Sequence, residues 1–254
     1  MALLEVTGLE KSFGGVKAIS QLAFSVDEGT VFSIIGPNGA GKTTLFNLLT
    51  GVYIPDSGSI KFLGVELVGK PAHKIASLGI SRTFQNLQIF LNMSVIENVM
   101  VGCHLRIRTG LWSAAIRLPS VLKEEHRVKQ WALEALAFCQ MEDQALKPAS
   151  SLSYGALKRL EIARALAARP KILLLDEPAA GLNDTETMEM CGLIQKIQQA
   201  GITVLLVEHN MGLVMEVSTQ VLVLNYGQLL AQGTPYRIQR DPQVIAAYLG
   251  EESA

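Results

Sequence analysis

Gly36-Pro37-Asn38-Gly39-Ala40-Gly41-Lys42-Thr43 sets three glycines, a lysine and a hydroxyl in the spacing G-x-x-x-x-G-K-[ST]. Glycines so spaced let backbone N–H groups curl around an anion, and a helix starting after them turns its positive end toward it. The chemistry is phosphate binding. Lys42 supplies a point charge to the β- and γ-phosphates of a nucleotide, and the Thr43 hydroxyl can ligate Mg2+. A second stretch, Ile172-Leu173-Leu174-Leu175-Asp176-Glu177-Pro178, ends an apolar run in two acids, a costly arrangement unless those acids have partners. Asp176 at the strand end is placed to hold Mg2+ through a water. Glu177 is placed to polarise an attacking water as general base. The plainer alternative is a strand-end acid that caps the next helix.

These groups need strands to aim them and helices to cover the strands. Val31–Ile35 is a short apolar run that stops at the glycine-rich loop, and Thr44–Thr50 continues as helix, giving the strand-loop-helix context the loop requires. Before it, Leu22, Phe24 and Val26 alternate with Ala23, Ser25 and Asp27, and Phe13-Gly14-Gly15 predicts a turn between two β runs. From about Asn86 to Arg169 the chain reads as helical. Ser94 and Glu97 form a capping-box pattern for a helix through Val101. Val128, Trp131, Ala135 and Phe138 recur at helical spacing, and the run from Tyr154 has Leu157, Leu160, Ala163 and Leu166 on one face until Pro170 stops it. Then Ile172–Leu175, a helix over Thr185–Gln199 and Ile202–Val207 alternate as βαβ, which implies parallel strands covered by helices. Val221–Leu224 and Leu229–Ala231 flank a predicted hairpin at Asn225-Tyr226-Gly227-Gln228. The fold class is therefore α/β, a P-loop core with a mainly parallel sheet, an N-terminal antiparallel β subdomain and an inserted helical subdomain.

Composition limits what this core serves. With 254 residues, 49% hydrophobic and 18% charged, the chain can bury a sizeable core. A net charge of -1 argues against a general nucleic-acid binder. Cys103, Cys139 and Cys191 are scattered and odd in number, so reduced thiols in a cytosolic protein are expected. The start MALLEVTGLEKSF lacks a basic n-region, and no apolar run reaches the ~18 residues of a membrane span. Work at a membrane would have to be done as a peripheral subunit.

Leu152-Ser153-Tyr154-Gly155-Ala156, running into LKRLEIARAL, resembles the LSGGQ signature of the ABC ATPases and the helix after it. Ser153 is a good helix N-cap, and with the Gly155 backbone it forms an anion site. Gln85 in Arg82-Thr83-Phe84-Gln85 resembles the family's Q-loop, Ala180-Gly181-Leu182-Asn183 its D-loop and His209 its switch histidine, while Phe13 lies where an aromatic stacks on adenine. Read singly, Gln85 is a polar loop residue, His209 a strand-end histidine and Phe13 a packed turn aromatic. Their common order, from Phe13 through His209, covers nearly the whole chain. Further stretches resemble the ATPase of branched-chain amino-acid importers: SRTFQNLQIF, MSVIENVMVG, DEPAAGLN, VEHNMGLVM and the ending LNYGQLLAQGTP…DPQVIAAYLGEE.

The resemblance implies a core of residues 1–85 and 170–254 with a helical subdomain over 86–169. It implies ATP held by Phe13, by Gly36 through Lys42 and by Thr43 and Thr44, with Ser153 and Gly155 acting on the ATP of a second subunit. Glu177, His209 and Gln85 would be the catalytic set, and Thr43, Gln85 and Asp176 would hold Mg2+. The implied partners are transmembrane permease subunits, a second ABC ATPase (identical or not) and, indirectly, an extracytoplasmic solute-binding protein. The chain would sit on the cytoplasmic face of the cell membrane. The cargo it suggests is a branched-chain amino acid. A urea or amide importer, a lipopolysaccharide-type exporter and a soluble non-transport ABC ATPase stay open as alternatives. Tyr154 and Ala156 depart from LSGGQ, and Asn183 replaces the D-loop Asp, but Ser153 and Gly155, which would touch phosphate, are kept.

Two surface readings are left double. Leu87, Ile89, Phe90 and Met93 either line a permease-docking groove or belong to the core of the insert. Arg106, Arg108 and Arg117, interleaved with Leu105, Ile107, Leu111, Trp112 and Ile116, read as a solvated helix face, or else as a surface for anionic lipid or a permease loop.

Overall fold

The computed structural model describes residues 2–107 and 119–249. The two β runs around Gly14-Gly15 form the long hairpin β1 (Ala2–Phe13) and β2 (Val16–Asp27). Strand β4 (Ser57–Phe62) pairs antiparallel with the other edge of β1, and β5 (Val65–Glu66) follows it, so the order is β2-β1-β4-β5. Leu22, Phe24 and Val26 point inward as their alternation requires.

The second sheet runs β10 (Gln228–Gly233), β9 (Gln220–Asn225), β3 (Val31–Ile35), β8 (Thr203–Val207), β7 (Ile172–Asp176), β6 (Ile80–Arg82). Every pairing is parallel except β10 with β9 at the edge. Each central strand is apolar on both faces because both faces are covered. Phe32, Ile34, Ile172, Leu174, Leu205 and Val207 pack toward the antiparallel sheet and α1 (Lys42–Leu49). Val31, Leu173, Leu175, Val204 and Leu206 pack toward the helices of the other layer.

Those helices are α3 (Val95–Gly102), α4 (Pro119–Phe138), α5 (Tyr154–Leu166) and α6 (Asp184–Gln199); the short α2 (Ala72–Ser77) flanks β6. The Ser94 capping box forms in full, with the hydroxyl accepting from Glu97 N–H and the Glu97 carboxylate accepting from Ser94 N–H. Such a cap contributes about 1 kcal/mol. Helix α5 stops at Leu166, short of Pro170, because Arg169 adopts a left-handed φ of 53°, in keeping with the exclusion of αR geometry before proline. Near the end of the chain, α7 (Met211–Val217), α8 (Pro235–Ile238) and α9 (Pro242–Leu249) close over β9 and β10.

The basic stretch differs from expectation at its described end. Arg106 lies in a 3-10 turn, stacks over Trp131 with its guanidinium 3.3 Å from the ring centroid, and donates to Ala167 O at 3.1 Å. It is fastened to the protein itself rather than lying on a solvated helix face. Arg108, Leu111, Trp112, Ile116 and Arg117 lie outside the described residues.

Register decides where chemistry can happen. Ile34 pairs with Val207, and Val207 with Asp176, so β3, β8 and β7 end level with one another. From those three ends the chain enters the glycine-rich loop, Glu208-His209 and Glu177. Open parallel sheets bind ligands at this carboxyl edge.

Candidate functional site

The loop after Ile35 is built for an anion. Gly36, Gly39 and Gly41 have φ of 150°, 75° and 104°. A Cβ on Gly36 would collide with the Leu224 carbonyl oxygen, and one on Gly41 would come within 2.5 Å of Ala18 O. Gly39 meets nothing, so its backbone conformation alone requires glycine. Lys42 is buried, and its ammonium donates to Gly36 O at 2.5 Å and Pro37 O at 2.8 Å, folding back over the loop. Helix α1 begins at Lys42, and its N-cap Gly41 supplies no side-chain cap, so the positive end of the helix is turned toward the loop. Thr43 next to it is exposed.

A cleft of about 360 Å³ opens over this loop, lined by Asn38 through Thr44 together with Gln85, Glu177, His209 and the hairpin residues Val16 to Ala18. Gln85, Glu177 and His209 thus converge from three segments far apart in sequence. One Glu177 carboxylate oxygen lies 2.8 Å from His209 Nε2, and the other accepts from Gln85 Nε2 at 3.1 Å. Glu177 itself has a φ of 51°, the left-handed region that costs a non-glycine residue about 1–3 kcal/mol and recurs at functional sites.

Asp176 sits beside Glu177 in a different environment. It is buried, and Arg82 Nη2 lies 2.8 Å from one of its oxygens. Burial pushes the Asp176 carboxyl up, with the Arg82 guanidinium opposing. Arg82 also donates to Asn47 of α1 at 2.7 Å, so it ties the loop-bearing helix to β7. Replacing Arg82 with methionine leaves a buried carboxylate without its partner. A loss of about 3–5 kcal/mol in unfolding free energy is expected, read from denaturant melts. A loss under about 1 kcal/mol would show that the pair does not hold these strands.

The other expected residues fall elsewhere. Ser153 caps α5, its hydroxyl accepting from Ala156 N–H at 3.3 Å, and it stands exposed, outside the Lys42 cleft. Gly155 is buried against the Glu186 carboxylate, with which a Cβ would collide at 2.5 Å. Tyr154 packs over Gly181, so the signature and D-loop segments touch within the chain. Phe13 does not line the cleft; its ring meets Tyr53 edge-on at 5.2 Å, and Val16 and Lys17 from the same hairpin reach the cleft instead. Among the described residues there is no cluster of three or more acidic, histidine or cysteine ligands for a metal. Thr43 and Asp176 are the groups that could share one with phosphate oxygens.

A larger cleft, about 530 Å³, is lined by Phe84, Leu87, Ile89, Phe90, Val101 and Leu105 with Glu161 and Arg164. Phe84 and Phe90 are exposed, whereas Ile89 packs against the helical core and Met93 lies outside the lining. The four apolar residues thus divide between surface and core. Phe84 N–H donates to the buried Glu161 of α5, which links the Gln85 segment to the helical layer.

Sequence reasoning named neither Arg82 nor Glu208 as a functional residue. Glu208 ends the apolar strand β8, the same signal that singled out Asp176 at the end of β7, and applied evenly it would have found this residue.

The family described as ABC transporter matches residues 19–180, and that described as branched-chain amino acid ATP-binding cassette transporter matches residues 228–254. The chain is 46% identical to the high-affinity branched-chain amino acid transport ATP-binding protein BraF of Pseudomonas aeruginosa, over 98% of each chain. It is 44% identical to the LivG protein of the same description in Escherichia coli, again over 98% of each. A crystal structure of an ABC transporter ATP-binding cassette in its ADP conformation superposes with a TM-score of 0.86 at 31% identity, covering 98% of this chain and 99% of that one.

Proposed function

Since the chain belongs to the ABC transporter ATP-binding family, in its branched-chain amino-acid group, we propose that it binds and hydrolyses ATP to power an importer of branched-chain amino acids. The observation that carries the catalytic reading is the Glu177 carboxylate, held between Gln85 and His209 at the mouth of the glycine-loop cleft.

The residues divide the work. Gly36 through Thr44 cradle the triphosphate with main-chain N–H groups, and Lys42 turns from the Gly36 and Pro37 carbonyls to the phosphates. Glu177 takes a proton from the attacking water, while His209 and Gln85 orient the carboxylate and the terminal phosphate. The open Thr43 hydroxyl and the strand-end Asp176 fit Mg2+, which supplies charge neutralisation across the β- and γ-phosphates when bound. Gln85 would help to hold the same ion. Val16 and Lys17, which line the cleft where Phe13 does not, serve the adenine side.

Ser153 and Gly155 are not among the residues that line the Lys42 cleft, which supports a head-to-tail dimer in which each signature segment completes the partner's site. A half-site leaves the terminal phosphate partly exposed, so hydrolysis follows dimer closure. Residues 86–169 serve as a helical arm on the core of residues 1–85 and 170–254. The apolar cleft of Phe84, Leu87 and Phe90 receives a permease subunit beside Gln85, so that closure is transmitted to it. No helix among the described residues is long and apolar enough to cross a membrane, consistent with a peripheral ATPase held on the cytoplasmic face by its permeases. A solute-binding protein outside the membrane would deliver the amino acid.

Tagged Glu177→Gln protein, purified with ATP from its native membranes, is expected to bring down two multispanning permeases and an ATPase partner. Recovery of ribosomal proteins or nucleic acid, with no membrane protein, would discard the transport reading.

A further inference from the structure

Behind Glu177 and His209 lies a third carboxylate that the hydrolytic scheme does not use. Glu208 is only 3% exposed, and its two oxygens are spent on main-chain N–H groups from two different strand ends. One accepts from Ala179 N–H at 2.8 Å, two residues past Glu177. The other accepts from its neighbours, His209 N–H at 2.8 Å and Asn210 N–H at 3.1 Å. Asn210 in turn caps α7 by accepting from Leu213 N–H at 3.1 Å.

These bonds complete a closed ring across the carboxyl ends of β7 and β8. Glu177 N–H donates to Val207 O at 2.9 Å, Pro178 has no N–H, Ala179 N–H goes to Glu208, and Ala180 N–H returns to Glu177 O at 3.2 Å. The buried Lys158 ammonium of α5 adds a bond to Glu177 O at 3.3 Å. The main-chain donors around the left-handed Glu177 are therefore assigned, and among the described residues Glu208 is the one side chain that bonds both the Glu177 turn and the His209 main chain.

We infer that Glu208 is a positioning residue for ATP hydrolysis, holding Glu177 and His209 in one fixed relation through the main chain. A carboxylate suits this place because it is the side chain with two acceptor atoms and no donor. A hydroxyl has a single oxygen for both strand ends. A glutamine of the same shape turns an NH2 group toward one of the N–H donors, so one side of the bridge breaks while volume is kept. Freed, the Glu177 turn relaxes toward an unstrained backbone, and displacements of about 1 Å between reacting groups can cost a hundredfold in rate.

This inference rests on the roles given to Glu177 and His209, and the test separates the two. The full-length chain is compared with Glu208→Gln, His209→Ala, Glu177→Gln and the Glu208→Gln/His209→Ala double variant. The readouts are ATP affinity, kcat and thermal midpoint. Glu208→Gln is expected to lower kcat about tenfold to a hundredfold while ATP affinity stays within about threefold. Once His209 is gone, the same substitution is expected to cost less than it does in the parent, because one of the two groups it positions is already absent while the Glu177 turn is still released. Full activity in Glu208→Gln alongside a dead Glu177→Gln would overturn the positioning role and leave the general base standing. Loss of ATP affinity and of thermal midpoint in step with kcat would also overturn it, since Glu208 would then be structural only. An active Glu177→Gln would instead remove the general base itself.

Discussion

The Glu177→Gln protein is expected to bind ATP with an affinity within about threefold of the parent and to hydrolyse it about a hundredfold to ten-thousandfold more slowly, the range assigned to a positioned general base. The two side chains are isosteric, so the cleft over the glycine loop keeps its shape. An amide oxygen can still accept from Gln85 Nε2 or pair with His209 Nε2, the two contacts of the native carboxylate. What it cannot do is take a proton from water. Binding and turnover should therefore separate, with ATP retained long enough for the closed dimer to accumulate. Dimer formation followed by size-exclusion chromatography with and without ATP, beside a phosphate-release assay, reads both halves. Phosphate release above half the parental rate would rule Glu177 out as the base.

Lys42→Ala should act at the preceding step. Removing the ammonium deletes the one side-chain charge within the glycine loop, and a charge-assisted contact to phosphate is worth roughly 1.5–3 kcal/mol. Nucleotide affinity is expected to fall about tenfold to a hundredfold, with turnover lost at ordinary ATP concentrations. Because Lys42 also bonds Gly36 O and Pro37 O, the variant relaxes the loop without ligand, so a thermal melt belongs beside the titration. Unchanged affinity in a folded variant would show that the loop does not hold the triphosphate.

Local pattern made much of this site legible. Val31–Ile35 occupies the strand its apolar run predicts, the Ser94 capping box forms as spaced, and the Asn225–Gln228 segment turns between two antiparallel strands. Each is decided within about ten residues by side-chain period or capping chemistry. Contacts made across the chain were not legible. Arg82 meets Asp176 from 94 residues away, and no spacing rule couples a short edge strand to a central one. The resemblance to ABC ATPases located Phe13 by order alone, which could not foresee that its ring leans on Tyr53. Strand order in the N-terminal sheet was equally invisible, since β1 lies between its neighbour in sequence and a strand that begins only at Ser57.

Strand β3 has a consequence for the order in which the protein is made. It delivers the glycine loop, yet both strands that flank it are made long after it: Val31 lies opposite Val204, and Phe32 opposite Gln220. Even the loop's close packing needs Leu224 and the Gly227 N–H that donates to Ala40 O at 2.9 Å. Until those strands are made β3 has two bare edges, and pairing it closes long loops whose entropy must be overcome. The nucleotide cradle is made before both strands that flank it and is completed only after they follow. A nascent chain that stops short of Thr203 carries every residue of the phosphate loop but neither strand that flanks β3, and the open edges of β3 are then exposed to pairing with another chain.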